Sequence, residues 1–82
     1  MRKEIIVKTT SVYDARALAE LVGIANGYTS KIFLDMDGRQ INAKSIMGIM
    51  GIGLDVDKVI TIDAEGEDEE DAIHGIEEFL TK

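Results

Sequence analysis

Apolar and polar residues alternate along two stretches of the chain, which is the pattern of a strand with one buried face. The stretches are "KIFLDM" and "KVITIDAEG". Their inward residues are Ile32, Leu34 and Met36 in the first, and Ile60, Ile62 and Ala64 in the second. The short β-rich run "EIIVK", Glu4 to Lys8, predicts a further strand. Asp37-Gly38 supplies a tight turn, so "RQINA" is predicted to return from it as a hairpin strand.

Apolar residues recur at helical spacing in three other stretches. The first predicts a helix over Ala15–Asn26, stopped by Gly27, with Leu18, Leu21, Val22 and Ala25 facing inward. The second, "KSIMGIMGIG", places Ile46, Ile49 and Met50 on one face behind Ser45, a good N-cap, but its glycines predict a short helix. The third closes the chain with the inward stripe Ala72, Ile73, Ile76, Phe79 and Leu80.

The element order is therefore β-α-β-β-α-β-α within one domain, residues 1–82. An α+β fold with a four-stranded antiparallel sheet, covered on one face by three helices, buries every apolar stripe. A ferredoxin-like fold shares the first six elements, so periodicity alone leaves both architectures open.

Charge and composition limit the classes of partner that the protein is expected to bind. A net charge of −7 disfavours direct binding to nucleic acid and to anionic membranes, and favours proteins or cations as partners. The chain has no cysteine, which excludes disulfides, thiolate metal sites and a cysteine nucleophile. No apolar run approaches the ~20 residues of a membrane span. A cytoplasmic protein without a cofactor or a metal is the expectation.

Two stretches resemble functional motifs, but the residues and elements around them do not match those motifs. "GRQINAKS" is one residue from a phosphate-binding loop, but Ala43 replaces the second glycine, and a hairpin strand and a weak helix flank it. His74, the only histidine, falls toward the solvent side of the last helix, with no nucleophile patterned near it. The sequence therefore predicts no enzyme.

Two longer segments together carry a resemblance. "DARALAELVGIANGY" after the first strand and "GRQINAKSIMGIMGIG" after the third resemble the two signature segments of HPr, the small phosphocarrier of the bacterial sugar phosphotransferase system. The resemblance extends to element order, length and the acidic "GEDEEDA" before the last helix. It implies an HPr-like open-faced sandwich.

The first signature segment departs from the HPr family at its central residue. In the family it reads roughly G-I-H-A-R-P-A, and its histidine takes phosphate from enzyme I. Asp14 occupies that position here, Arg16 is retained, and Ala17 and Leu18 follow. The residues leave two roles open for Asp14: an N-cap that accepts the backbone N–H of Arg16 or Ala17, or an acyl-phosphate carrier.

The second segment is intact around its serine. The resemblance to Gram-positive HPr, and above all to the Crh-like class that also lacks the histidine, implies phosphorylation of Ser45 by HPr kinase/phosphorylase. It further implies corepression with a CcpA-type repressor. Ile46, Met47 and Met50 are the expected apolar contacts, with Arg16 and Lys44 flanking them. The competing interpretation is that Ser45 is only an N-cap and that Ile46, Ile49 and Met50 are only core.

The resulting hypothesis is a regulatory protein of carbon catabolite repression that no longer relays phosphate through a histidine. The alternative is a divergent phosphocarrier that uses Asp14 and meets other phosphotransferase-system proteins. A third is a passive competitor for HPr partners that has lost both phosphorylations.

Overall fold

The computed structural model describes residues 1–82, apart from the side chain of Ser11. Its four strands form one antiparallel sheet in the order β1-β4-β2-β3. Three helices complete the predicted β-α-β-β-α-β-α order, which confirms the fold class. The elements are β1 (Arg2–Ile6), α1 (Ala15–Asn26), β2 (Lys31–Met36), β3 (Arg39–Asn42), α2 (Ile46–Gly51), β4 (Val59–Glu65) and α3 (Glu69–Leu80).

Alternation in the two central strands determines which face of the sheet is covered. β2 and β4 are neighbours, with Leu34 opposite Ile62 and Ile32 opposite Ala64. All six residues predicted to face inward from these strands are buried, and they form the floor of the core. The other face carries ionic side chains, where Arg2 bridges Asp63 and Asp35 at 2.6 Å each.

The helices complete the core through their apolar stripes. All five residues predicted for the stripe of α3 are buried. In α1, Leu21 and Ala25 are fully buried, while Leu18 and Val22 are partly buried against the core. α1 packs against both α2 and α3, so it links the two other helices.

The first strand differs from the prediction, because it covers Arg2–Ile6 instead of Glu4–Lys8. The Lys8 N–H leaves the sheet and donates to the Leu80 carbonyl at 2.8 Å, at the C-terminal end of α3. An unpredicted 3₁₀ helix over Thr10–Tyr13 then leads into α1. The end of β1 depends on this contact with a segment distant in sequence, which local periodicity does not contain.

A close approach between two loops determines how α3 begins. Gly66 has φ +152°, and a Cβ placed on it would lie 2.7 Å from the Ser30 Cα. Only glycine fits a position that combines this backbone conformation with such a close neighbour. The approach brings the segment after β4 against the segment before β2.

Asp68 connects the same two segments through its carboxylate. It accepts the Thr29 N–H at 2.8 Å and the Ser30 N–H at 2.9 Å, together with the Ser30 hydroxyl. Hydrogen bonds from the Ser30 side chain and the Thr29 backbone favour the ionised form and lower the pKa of Asp68 to about 2. Asp68 precedes α3 but makes no cap bond to it, because its oxygens are directed at the other loop.

Candidate phosphorylation and docking surface

Asp14 caps the N-terminus of α1. Its backbone is extended, with φ −106° and ψ 119°, and its Oδ1 accepts the Arg16 N–H at 2.8 Å. An acidic oxygen in this place satisfies a backbone donor that the helix cannot pair and complements the positive end of the helix dipole. The N-cap role predicted for Asp14 is thus present in the structure. The carboxylate is also exposed, as is the side chain of Arg16.

Tyr13, directly before this cap, is a surface residue that the sequence patterns did not indicate. The residue is 65% exposed, yet its hydroxyl donates to the Asp55 carboxylate and accepts the Val56 N–H at 3.4 Å. The hydrogen bond to Asp55 raises the pKa of Tyr13, because it favours the protonated phenol. These bonds fix an exposed aromatic ring beside Asp14. They join residues about forty positions apart, so no local pattern could have revealed them.

Ser45 caps the N-terminus of α2 in the same manner. Its backbone is extended, with φ −101° and ψ 113°, and its Oγ accepts the Gly48 N–H at 3.2 Å. The residue is half-buried. The hydroxyl therefore stands at the positive end of a short helix, within reach of the backbone N–H groups of its first turn.

α2 turns most of its apolar side chains outward. Ile49 is 1% exposed and belongs to the core, whereas Ile46, Met47 and Met50 are 38%, 81% and 47% exposed. The interpretation of Ile46 and Met50 as core is wrong, because the single turn and a half of α2 contacts the core through Ile49 alone. We call Ile46, Met47 and Met50 the α2 patch.

Lys44 was expected to flank the docking surface as a free cation, but its side chain is bound within the fold. It is half-buried, and its Nζ donates to the Tyr28 carbonyl at 2.7 Å, just beyond the end of α1. The Asn26 side chain donates to the Lys44 carbonyl at 3.3 Å. The ammonium is therefore already engaged within the fold, and Arg16 remains the exposed cation of the predicted set.

The candidate residues lie at the surface and not in a cleft. Asp14 and Ser45 begin two helices, α1 and α2, which pack against one another. A groove of about 440 Å³ lies elsewhere, between Lys3 of β1 and His74 of α3, and neither Asp14 nor Ser45 lines it. Among the side chains that the structure describes, no group of three or more His, Asp or Glu is arranged to hold a metal ion.

No helix in the described part of the chain is both long and apolar enough to cross a bilayer.

Comparison with known proteins agrees with the fold and with the two signature segments. The family model described as the PTS HPr component phosphorylation site matches residues 1–82. The HPr-like protein Crh of Halalkalibacterium halodurans is 39% identical over 82 residues, which is 100% of this chain and 98% of that protein. The HPr-like protein Crh of Bacillus subtilis is 35% identical over 80 residues, covering 98% and 94% of the two chains.

A solved structure shows the same architecture. The phosphocarrier protein HPr from Bacillus anthracis str. Ames is similar to this chain with a TM-score of 0.92 and 36% sequence identity, covering 98% of this chain and 95% of that one. At this TM-score the two chains share one overall fold. With the family model matched from the first residue to the last, the chain belongs to the HPr family of the phosphotransferase system.

Proposed function

We propose that this chain is a regulatory protein of the HPr family that is phosphorylated on Ser45 and does not carry phosphate on a histidine. In this proposal HPr kinase/phosphorylase modifies Ser45, and the product acts in the cytoplasm as a corepressor with a CcpA-type repressor in carbon catabolite repression. The observation that carries the proposal is the contrast between two caps: Asp14 caps α1 at the position that the resemblance assigns to the carrier histidine, whereas Ser45 has a hydroxyl beside exposed apolar residues. The names of the two Crh relatives support it.

The environment of Ser45 suits an added phosphate. Transfer from ATP forms a bond between Oγ and the γ-phosphorus, breaks the bond to the β-phosphate oxygen, and releases ADP and the hydroxyl proton. The product carries a charge of about −1.5 to −2, which the positive end of α2 and its unpaired N–H groups stabilise. Phosphorylation would therefore add charge without unfolding the helix.

The α2 patch supplies the apolar part of a docking surface next to that charge. Methionine side chains adapt to different partner surfaces, and Met47 is almost fully exposed at 81%. A partner would recognise a phosphate and an apolar contact within two helical turns of each other. Arg16, an exposed cation in the first turn of α1, lies toward the opposite end of that helix from the segment that carries Ser45, so it would be a second, separate contact for the partner.

The experiment is incubation with HPr kinase and ATP, followed by intact mass measurement and mapping of the phosphosite. We expect one added phosphate on Ser45 and none in Ser45→Asn. Asparagine is the matched control, because it caps a helix about as well as serine but has no hydroxyl, so the fold is retained. Binding of the phosphorylated protein, but not of Ser45→Asn, to a CcpA-type repressor completes the test. No added mass from a kinase that modifies ordinary HPr would refute the proposal.

A second candidate function rests on the exposure of Asp14. Although one carboxylate oxygen caps α1, the residue remains open to solvent next to the exposed Arg16. In this alternative Asp14 accepts phosphate from enzyme I as an acyl phosphate. Its signature is a hydroxylamine-labile phosphate that forms with enzyme I and phosphoenolpyruvate and disappears in Asp14→Asn. A phosphate that resists hydroxylamine and is absent from Ser45→Asn would instead be a phosphoester on Ser45.

A further inference from the structure

The segment that delivers Ser45 to the start of α2 is fixed by a set of hydrogen bonds centred on Lys44. The Lys44 N–H donates to Asn42 Oδ1 at 2.8 Å, and the Ser45 N–H donates to the Asn42 carbonyl at 3.0 Å. The Lys44 carbonyl accepts from Asn26 Nδ2 at 3.3 Å, and the Lys44 ammonium donates to the Tyr28 carbonyl at 2.7 Å. Both backbone polar groups of Lys44 and its charged end are thus engaged. We call the two contacts from Lys44 to Asn26 and Tyr28 the clamp.

The clamp connects the segment to the C-terminal end of α1. That helix has no basic residue in its last turn, so none of its own side chains supplies the cation that the negative end of a helix dipole favours. Lys44 provides this cation from a loop 16 residues further along the chain from Tyr28. Asn26, the last residue of α1, holds the backbone of the same loop.

The direction of the Lys44 side chain separates it from the docking surface. The polar ends of Ser45 and Lys44 have different hydrogen-bond partners. The hydroxyl of Ser45 is directed at the first turn of α2, while the ammonium of Lys44 is directed at Tyr28. A cation that is already hydrogen-bonded to the Tyr28 carbonyl is not free to meet a phosphate on Ser45 or the partner that binds it.

We propose that Lys44 is a positioning residue, which holds the segment before α2 against the end of α1 so that the Ser45 hydroxyl is presented to the phosphorylating enzyme in a fixed geometry. This inference rests on the proposed phosphorylation of Ser45. The physical reason is preorganisation: a hydroxyl that is already in place does not have to be ordered when the enzyme binds, and misplacement of a reacting group by about 1 Å can reduce a rate by about 10²-fold.

The first experiment requires no partner. Amide hydrogen exchange of Lys44 and Ser45 is compared between the wild-type protein and Lys44→Met, which keeps the aliphatic stem and removes the ammonium. Loss of a charge-assisted hydrogen bond should speed local opening, and hence exchange of these amides, by roughly tenfold. Lys31→Met, the same charge change on an exposed strand residue, is the control and should leave them unchanged. Unaltered exchange in Lys44→Met would overturn the clamp.

The second experiment measures phosphorylation kinetics with HPr kinase and ATP. Lys44→Met and Asn26→Ala each break one side of the clamp. Both should lower kcat at least about fivefold while KM stays within about twofold, because the α2 patch that the enzyme contacts is untouched. The double variant should be no slower than the slower single variant, and Lys44→Arg should recover most of the rate.

The opposite pattern identifies a different role. A raised KM with unchanged kcat in Lys44→Met, and no effect of Asn26→Ala, would make Lys44 a direct contact of the enzyme and overturn the positioning role. Absence of phosphorylation in the wild-type protein would refute the function proposed for Ser45, and with it any role of the clamp in that reaction. The exchange measurement still separates this case, because it shows whether the clamp itself exists.

Discussion

Replacement of Gly66 by alanine should destabilise the fold strongly, because the loop before β2 passes directly over this residue. The added Cβ would lie 2.6 Å from the Ser30 Oγ and 2.7 Å from the Ser30 Cα, and the backbone at Gly66 has φ +152°. Movement of the Ser30 side chain would not relieve the contact with its Cα. Two costs therefore combine, one from the backbone conformation and one from steric overlap.

The magnitude follows from these two costs. A non-glycine residue in such a backbone region costs about 1–3 kcal/mol, and overpacking that forces a backbone shift costs a further ~1–3 kcal/mol. The sum is about 2–6 kcal/mol, against a total stability of about 4–12 kcal/mol for a chain of this length. Since 1 kcal/mol shifts the melting temperature of a small domain by about 4–8 °C, Gly66→Ala should melt at least ~8 °C lower, or fail to fold.

Gly23→Ala is the matched control for this prediction. Gly23 lies inside α1, and a Cβ there meets nothing within 4 Å. Alanine should stabilise the helix by about 1 kcal/mol and raise the melting temperature. Thermal and urea unfolding followed by circular dichroism would measure both variants. A Gly66→Ala protein within about 1 kcal/mol of the wild type would refute the argument from close approach, since the same residue change is tested in both places.

Three further predictions concern the carboxylate of Asp68 that joins two loops, the cap Asp14, and the core. The carboxylate of Asp68 has a pKa of about 2 against an ordinary 3.8, so it contributes stability that is fully present above about pH 4 and is lost as the pH falls through 2. Asp68→Asn should therefore weaken the fall in the unfolding midpoint between about pH 5 and pH 2. An unchanged fall would assign the lost stability to other acidic residues. Asp14→Ala should cost about 1 kcal/mol in urea unfolding and Asp14→Asn almost nothing, whereas equal losses would contradict the capping role. Ile49→Ala should cost about 2–5 kcal/mol and Met47→Ala less than about 0.5 kcal/mol, so a large loss at Met47 would disprove its surface position.

Much of the fold could be predicted from the sequence because the periodic stripes are unambiguous. The alternation of Ile60, Ile62 and Ala64 and the helical spacing of Ile73, Ile76 and Leu80 each leave only one face that can be buried. The same stripes could not place the end of β1, because Lys8 leaves the sheet for a carbonyl of α3, more than 70 residues away in sequence. Local pattern carries no information about such a partner.

In the candidate site, too, some features could be predicted from local sequence and others could not. The capping roles of Asp14 and Ser45 were predictable, since a short oxygen-bearing side chain before an apolar helical pattern satisfies orphan backbone donors locally. The exposure of Met50 was expected from the family resemblance and not from helical spacing, because a helix of six residues touches the core over so little of its length that spacing cannot separate its buried face from its exposed one.

The order of elements, the two caps, and the residue types that place the chain in the HPr family all follow from the amino-acid sequence. Three features follow only from the packed fold: α2 presents Met47 and Met50 to solvent, Tyr13 is hydrogen-bonded to Asp55, and Lys44 is directed at the end of α1. The two groups of features differ in the sequence separation over which the interactions that cause them act. Helical and strand periodicity and capping act over a few residues, whereas these contacts join segments that become neighbours only when the helices pack on the sheet.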